Sequence, residues 1–270
     1  MSRINNAIHE IHRMDTLSAR NQWVNEIHPL VKLVLTVSYI ALLVSFPKYD
    51  VAGTAGMIVY PLAVFMLADL SFAESLKRLK IVLPLVCFIG VFNPFFDRNY
   101  ILVAGFRLSA GILSMITLII KGIFSVLASY LLIATTSVDK ICYAFRLLHL
   151  PKAIVTQFML MFRYITVLLE ETDRITQAYM LRAPNQKGIH FKAWGSLAGQ
   201  LLLRSMDRAN EVYESRRLRG YQGDYRYLKD RLVLNRRDTF YFLFWTIIFL
   251  LFRWRPVILL IGSLFGGFFV

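Results

Sequence analysis

Hydrophobic positions along the chain gather into long blocks rather than a soluble-protein alternation. Leu30 to Phe46, Val51 to Ala68, Ile81 to Phe96 and Phe106 to Thr135 are almost free of charge. A helix needs about 20 apolar residues to cross a hydrocarbon core of roughly 30 Å, and in lipid only such self-satisfied backbones are stable. Each block therefore predicts a span. The first two are joined by Pro47-Lys48-Tyr49-Asp50 and form a hairpin, and the charged stretch Glu74 to Lys80 separates the second from the third. The third carries Pro84 and runs into Asn93-Pro94, a turn signal. Lys121 sits near the middle of the fourth. A charge there costs at least a few kcal/mol, so it must face protein or water, and its simplest use is a polar contact that ties helices of the bundle together. Near the far end, Phe240 to Phe252 and Pro256 to Val270 flank Arg253-Trp254-Arg255, and read either as a short hairpin or as one span with an interfacial tail.

Between these apolar halves, from Ser137 to Arg237, the period changes. Thr136 to His149 reads as a short amphipathic helix stopped by Pro151. From Pro151, apolar residues recur at Ile154, Phe158, Phe162, Ile165, Leu169 and Ile175, which predicts a helix of about 30 residues ending near Ala183, ahead of Pro184. A linker from Pro184 to Gly195 leads to a third helix whose stripe is Ala198, Leu202, Met206, Ala209 and Tyr213, closed by Gly220 as a left-handed cap. Both long helices end alike, at Leu181-Arg182-Ala183 and at Leu218-Arg219-Gly220. Each thus presents an arginine at its carboxyl end, where a cation is favoured by the helix dipole and a planar fork reaches carboxylates or carbonyls. A polar helical insert of this length lies in water against the membrane face, with its charged surface available for docking.

Composition sharpens the class. The chain is 57% hydrophobic and 18% charged with a net charge of +14, and its mean hydropathy is +0.53, far from a soluble domain of this length. Of its 31 basic residues, 18 fall in the insert, alongside nine acidic ones. The distribution follows the positive-inside pattern, and the mixture of signs favours a protein partner over nucleic acid. Met1 to Asn25 is polar, with Arg3, Arg13 and Arg20 and no signal-type apolar core, so the N-terminus is expected in the cytoplasm. Cys87 and Cys142 are too few and too far apart for a disulfide framework and read as packing residues. His9-Glu10-Ile11-His12 pairs two imidazoles but lacks a third ligand, so no metal ligand is expected in this chain. There is no Gly-x-x-x-x-Gly-Lys-Ser/Thr loop, and Gly262 to Gly267 is an apolar glycine run suited to helix packing. ATP hydrolysis is therefore not expected of this chain.

The stretch Leu203-Arg204-Ser205-Met206-Asp207-Arg208-Ala209-Asn210-Glu211-Val212-Tyr213, continuing to Leu218-Arg219-Gly220-Tyr221-Gln222-Gly223, resembles the signature of the transmembrane T component of energy-coupling factor transporters of the cobalt type, the CbiQ family. His28-Pro29-Leu30-Val31-Lys32-Leu33, Asn93-Pro94, Thr135-Thr136, Leu150-Pro151, Arg163-Tyr164 and Glu170 extend the similarity over about residues 20 to 240. The resemblance implies a non-enzymatic scaffold in a bacterial or archaeal cell membrane. Its partners would be two ATP-binding cassette subunits, which carry ATP and magnesium, and a substrate-binding membrane S subunit, with a small accessory membrane subunit in the cobalt type. It also implies that Arg182 and Arg219, with Leu181, Ala183, Leu218 and Gly220 beside them, dock into grooves of the ATPases. The family triplets read Ala-Arg-Gly or related, and here they are Leu-Arg-Ala and Leu-Arg-Gly.

The expected architecture is an all-α membrane protein of five or six spans, with about four in 1–136, a cytosolic module of two long coupling helices in 137–237 and the remainder in 238–270. The expected activity is coupling of ATP-driven motion to cobalt uptake. Nickel or vitamin import fits the same architecture, and a membrane-anchored basic protein binding RNA or anionic lipid is the reading from another class.

Overall fold

The structure is a computed structural model that describes residues 2–20, 22–70, 72–96, 100–103, 106–184, 188–221 and 234–254. The expected segment Pro256 to Val270, with its glycine run, lies outside the described residues. In chain order the elements are α1 (Ser2–Ser18), α2 (Trp23–Glu26), α3 (Pro29–Ser45), α4 (Val51–Gly56), α5 (Val59–Leu67), α6 (Phe72–Phe96), β1 (Tyr100–Val103), β2 (Phe106–Ser109), α7 (Ala110–Thr135), α8 (Val138–Leu147), α9 (Lys152–Arg182), α10 (Phe191–Leu218) and α11 (Arg236–Trp254). The chain is predominantly helical, but the all-α expectation needs one addition. β1 and β2 pair antiparallel, with Tyr100 opposite Ser109 and Val103 opposite Phe106. The hairpin takes the first residues of the fourth apolar block, so the helix starts only at Ala110.

By contacts the chain forms two compact units. In the first, α7 packs against α3, α4, α5 and α6, and α11 packs against α3 and α4. Its core joins Leu35, Tyr39 and Leu43 of α3 to Leu127 and Leu131 of α7 and to Tyr241, Trp245 and Phe249 of α11. The rings are in direct contact, with centroids of Tyr39 and Tyr60 at 4.8 Å and of Tyr60 and Trp245 at 5.0 Å.

The second apolar block is broken into α4 and α5, and the cause is covalent. Pro61 has no N–H to give to the carbonyl of Met57, four residues back. That carbonyl is satisfied from outside the segment, by the Tyr39 hydroxyl at 2.9 Å. Asn93-Pro94 falls in the last turn of its helix, which ends at the expected Phe96. α6 begins early, taking in the charged stretch from Glu74, and runs through both Pro84 and Pro94 to Phe96. Asn93 Nδ2 donates to Ser114 Oγ of α7 at 3.2 Å, which holds that end of the helix in place. α6 and α7 approach closely at Gly122, where a Cβ would meet Val86 Cγ1 at 2.9 Å.

Among the described residues, two helices are long and apolar enough to cross a membrane by themselves, α7 and α9, and shorter apolar helices occupy Pro29–Ser45, Val51–Leu67 and Leu83–Pro94. The outward residues of α6, among them Leu85, Phe88 and Ile89, are apolar and exposed, as a lipid-facing helix requires.

The second unit holds α1, α8, α9 and α10. α9 packs on α8 at one end and on α10 along its side. Burial raises the carboxyl pKa of Asp15 in α1, the nearby Asp139 of α8 raises it further, and His12 opposes both. α10 starts at Phe191, earlier than the expected linker allows, because His190 Nδ1 accepts from the Lys192 N–H at 3.4 Å and caps it.

Candidate functional site

The long helices α9 and α10, 31 and 28 residues, run alongside each other. Near the end of α9, Tyr179 Oη accepts from the His190 N–H at 3.4 Å, and further along Arg204 of α10 pairs with Glu171 of α9. The first half of α9 faces the last half of α10 across a shared cleft. The pair is therefore antiparallel, which sets Arg182 and Arg219 at opposite ends of it.

Both helix ends form as the dihedral argument requires. Arg182 closes α9, with the Ala183 N–H donating to Tyr179 O at 3.1 Å. Arg219 stands one place beyond the last turn, as the C-cap of α10, and Gly220 takes the left-handed conformation at φ +79°. Leu181 and Leu218, which precede the arginines, are 83% and 89% exposed. A leucine that far out of any core at both helix ends is a costly exposure unless something covers it.

The apolar stripe expected to bury α10 does not do so. Among its described residues none is buried, and Leu202, Met206 and Tyr213 are all exposed. The helix packs through the neighbouring stripe of Ala193, Leu197, Leu201, Ser205, Val212 and Arg216, whose residues are all half-buried. α10 is apolar around more than one face, and periodicity alone could not choose between them. α9 behaves similarly. Ile175 is buried, whereas Ile154, Phe158 and Phe162 are exposed.

Arg219 lies in the wall of a basic cavity of about 450 Å³ with Arg163, Arg208 and Arg216. Within it Arg208 pairs with Glu211 at 3.1 Å. It adjoins an apolar cleft of about 690 Å³ between α9 and α10, and Tyr164, Arg208, Val212 and Arg216 belong to the walls of both.

Lys121 donates from Nζ to the carbonyls of Val44 at 3.1 Å and Phe46 at 2.6 Å. It caps the carboxyl end of α3, whose last carbonyls have no partner within the helix. Two further polar residues of the same unit make contacts that no periodicity in the sequence announces. Lys32 is buried, and its Nζ donates to the Thr135 carbonyl at 2.9 Å, at the end of α7. Asp238 is also buried, and its two oxygens accept from the His28 N–H at 3.1 Å and the Asn235 N–H at 2.9 Å. The only available signals were a single lysine in the first apolar block and the Asn235-x-x-Asp238 spacing of a helix cap. Around His28 and Lys32 the structure thus ties the start of α3 to the end of α7 and the start of α11. Among the described residues, no three His, Cys, Asp or Glu side chains group as metal ligands would.

A predominantly helical chain with two helices, among the described residues, long and apolar enough to cross a membrane has the composition of a membrane protein. More closely, residues 20–228 match the family model of CbiQ, the cobalt transport protein, and the chain belongs to that family. It is also 32% identical over 97 residues to the uncharacterized protein MJ1089 of Methanocaldococcus jannaschii, a match covering 35% of this chain and 36% of that relative.

Proposed function

We propose that this chain is the membrane coupling subunit of an energy-coupling factor importer for cobalt ions, joining two ATP-hydrolysing subunits to a substrate-binding membrane subunit. The observation that carries this reading is the pair of exposed Leu-Arg ends on α9 and α10, set at opposite ends of an antiparallel helix pair. Two separated tips suit a symmetric pair of partners, one groove to each. Leucine supplies apolar area and arginine a bidentate contact to a carboxylate, the combination that anchors protein interfaces. A helix of 31 residues spans about 46 Å, long enough to act as a lever between subunits. ATP and magnesium belong to the ATPase subunits in this scheme, and cobalt is cargo held by the substrate subunit.

α9 passes the length and composition test for a span, yet Arg163, Glu170, Glu171, Asp173 and Arg174 follow along its length. Charges at this density favour the cytoplasmic membrane face over the hydrocarbon core, and the N-terminus and the α8 to α10 region are placed on that side.

The test is gentle-detergent co-purification from native membranes together with cobalt uptake, for wild type and for the Arg182→Glu/Arg219→Glu double variant. Wild type should bring down ATPase subunits and a membrane partner. The double variant should keep the membrane partner, lose the ATPases and lose uptake. Unchanged uptake in the double variant would refute the docking role.

A further inference from the structure

The chain passes between its two compact units at three places, after Leu17, after Thr136 and after Arg231. Within the bundle, all three passages are held at one short stretch, the approach to α3 and its first turn. The first runs through α2, where Asn25 is buried and its Nδ2 donates to the Arg20 carbonyl at 2.9 Å, and it leads directly to His28. The second follows the carboxyl end of α7, where the Lys32 ammonium donates to the Thr135 carbonyl at 2.9 Å. The third enters α11, where Asp238 accepts from the His28 N–H at 3.1 Å. His28 and Lys32 are themselves joined through the backbone, since the Lys32 N–H donates to the His28 carbonyl at 3.3 Å. A single helical turn, a rise of about 6 Å, therefore links the α7 passage to the α11 passage.

From this convergence we infer that Lys32 is a positioning residue for coupling. It holds the α7 passage on the same turn of α3 that carries the α11 passage, so that a displacement arriving along either is delivered to the bundle as one. The role presupposes the coupling function proposed above, and two features of the residue favour it over stability alone. Lys32 is only 5% exposed, and a buried ammonium carries a desolvation cost that a neutral donor to the same carbonyl would avoid. What the ammonium adds is positive charge at the carboxyl end of α7, the negative end of that helix's dipole, so it acts on the helix end as a whole. The exit from that end is also short. Thr136 is buried and extended, at φ −139° and ψ 119°, and α8 begins at Val138. Two residues without a loop separate the held end from the next helix, which leaves little slack to absorb a displacement.

The test uses the whole complex, purified in gentle detergent and returned to liposomes, with cobalt uptake and ATP hydrolysis measured on the same vesicles. Lys32→Met should keep its co-purifying ATPases and their hydrolysis, yet import about tenfold fewer cobalt ions per ATP, the scale of one lost hydrogen bond from a charged donor. Lys32→Arg, which retains a cationic donor, should restore most of that ratio. Lys32→Gln has a stem one atom shorter and should resemble the methionine variant, and it carries the test if the methionine variant does not accumulate. Thr36→Val removes a buried hydroxyl that donates to the Lys32 carbonyl one turn away, and should lower thermal stability with the ratio unchanged. An unchanged ratio in both the methionine and glutamine variants would overturn the positioning role. So would a ratio that falls equally in Thr36→Val, or one that arginine fails to restore, because the effect would then be general weakening of the bundle. ATPases or uptake absent from wild type would overturn the coupling function and this role together, whereas ATPases present with an unchanged ratio would overturn this role alone.

Discussion

Asp238 offers the sharpest test of how the bundle is held. Its carboxylate is buried and accepts from two backbone N–H groups that come from different places in the chain, His28 at 3.1 Å and Asn235 at 2.9 Å. The Asn235 contact is the Asp238 half of a helix cap, while Asn235 Oδ1 accepts from the adjacent Arg236 N–H at 2.9 Å. Losing such a cap costs about 1 kcal/mol. The His28 contact is different, because removing the acceptor strands a buried donor, which costs about 1–3 kcal/mol. Asp238→Ala should therefore destabilise the chain by about 2–4 kcal/mol, and Asp238→Asn, which keeps one accepting oxygen, by about half as much. For a chain of this size the alanine variant should lower Tm by on the order of 5–10 °C.

Tryptophan fluorescence during heating in detergent reads the loss directly, because Trp23 packs edge-on to Tyr241 at 5.8 Å and Trp245 lies in the same core. The exposed Asp207→Ala serves as the control and should stay within about 0.5 kcal/mol of wild type. If Asp238→Ala were no more destabilising than that control, the tie between α3 and α11 would contribute nothing and the reasoning would fail.

Other positions carry shorter tests. Lys121→Met removes the cap on the Val44 and Phe46 carbonyls and should lower stability by about 1–3 kcal/mol, measured by the same thermal scan. Gly122→Val should separate α6 from α7, since even a Cβ there meets Val86 at 2.9 Å, and a cysteine pair placed across that contact should crosslink less in the variant. Burial first and Asp139 second push the Cys142 thiol above its ordinary pKa of 9.0. Its thiolate is thus scarce at neutral pH, maleimide labelling should keep accelerating beyond that value, and Asp139→Asn should speed labelling at pH 8. For Asp15 the folded-state pKa is raised above 3.8, so its contribution to stability is present below that pH and fades as pH rises through the folded value. Hydrogen-exchange protection in α1, taken relative to the intrinsic rate at each pH, should accordingly fall as pH rises through that value, and Asp15→Asn should abolish the dependence.

What the sequence disclosed follows from which signals are local. The apolar blocks are local, and α3, α7 and α9 lie within a few residues of their expected bounds. The end of α10 is local too, because glycine at 220 is the residue that tolerates φ +79°. The break between α4 and α5 was half legible. Pro61 was visible, but the Tyr39 hydroxyl that makes the break tolerable comes from another helix. The third block is expected to end at Phe96 behind the Asn93-Pro94 signal, and α6 does end there, with Asn93 held by Ser114 of α7. The contacts of Lys32 and Asp238 span 103 and 210 positions in sequence, a separation that no periodicity reports. The outward stripe of α10 was misread because its faces are nearly equal in hydrophobicity, and only the position of α9 decides which one is covered.

The two units settle their exposed groups by opposite means, and that contrast bears on transport. In the bundle, long polar side chains are spent on backbone carbonyls at helix ends: Lys32 on Thr135, Lys121 on Val44 and Phe46, Arg253 on Ser45 and Tyr39 on Met57. The Lys32 and Tyr39 contacts are buried, so losing either would leave a carbonyl unpaired away from water. The chain leaves it after α7 and returns at α11, and both of those ends are tied to the first residues of α3. In the other unit, α10 buries none of its described residues, and both long helices end in exposed leucines. A helix of that composition gains its stability from packing against other surfaces, more than from its own propensity. Under the coupling function proposed above, ATPase subunits covering Leu181 and Leu218 would supply that packing.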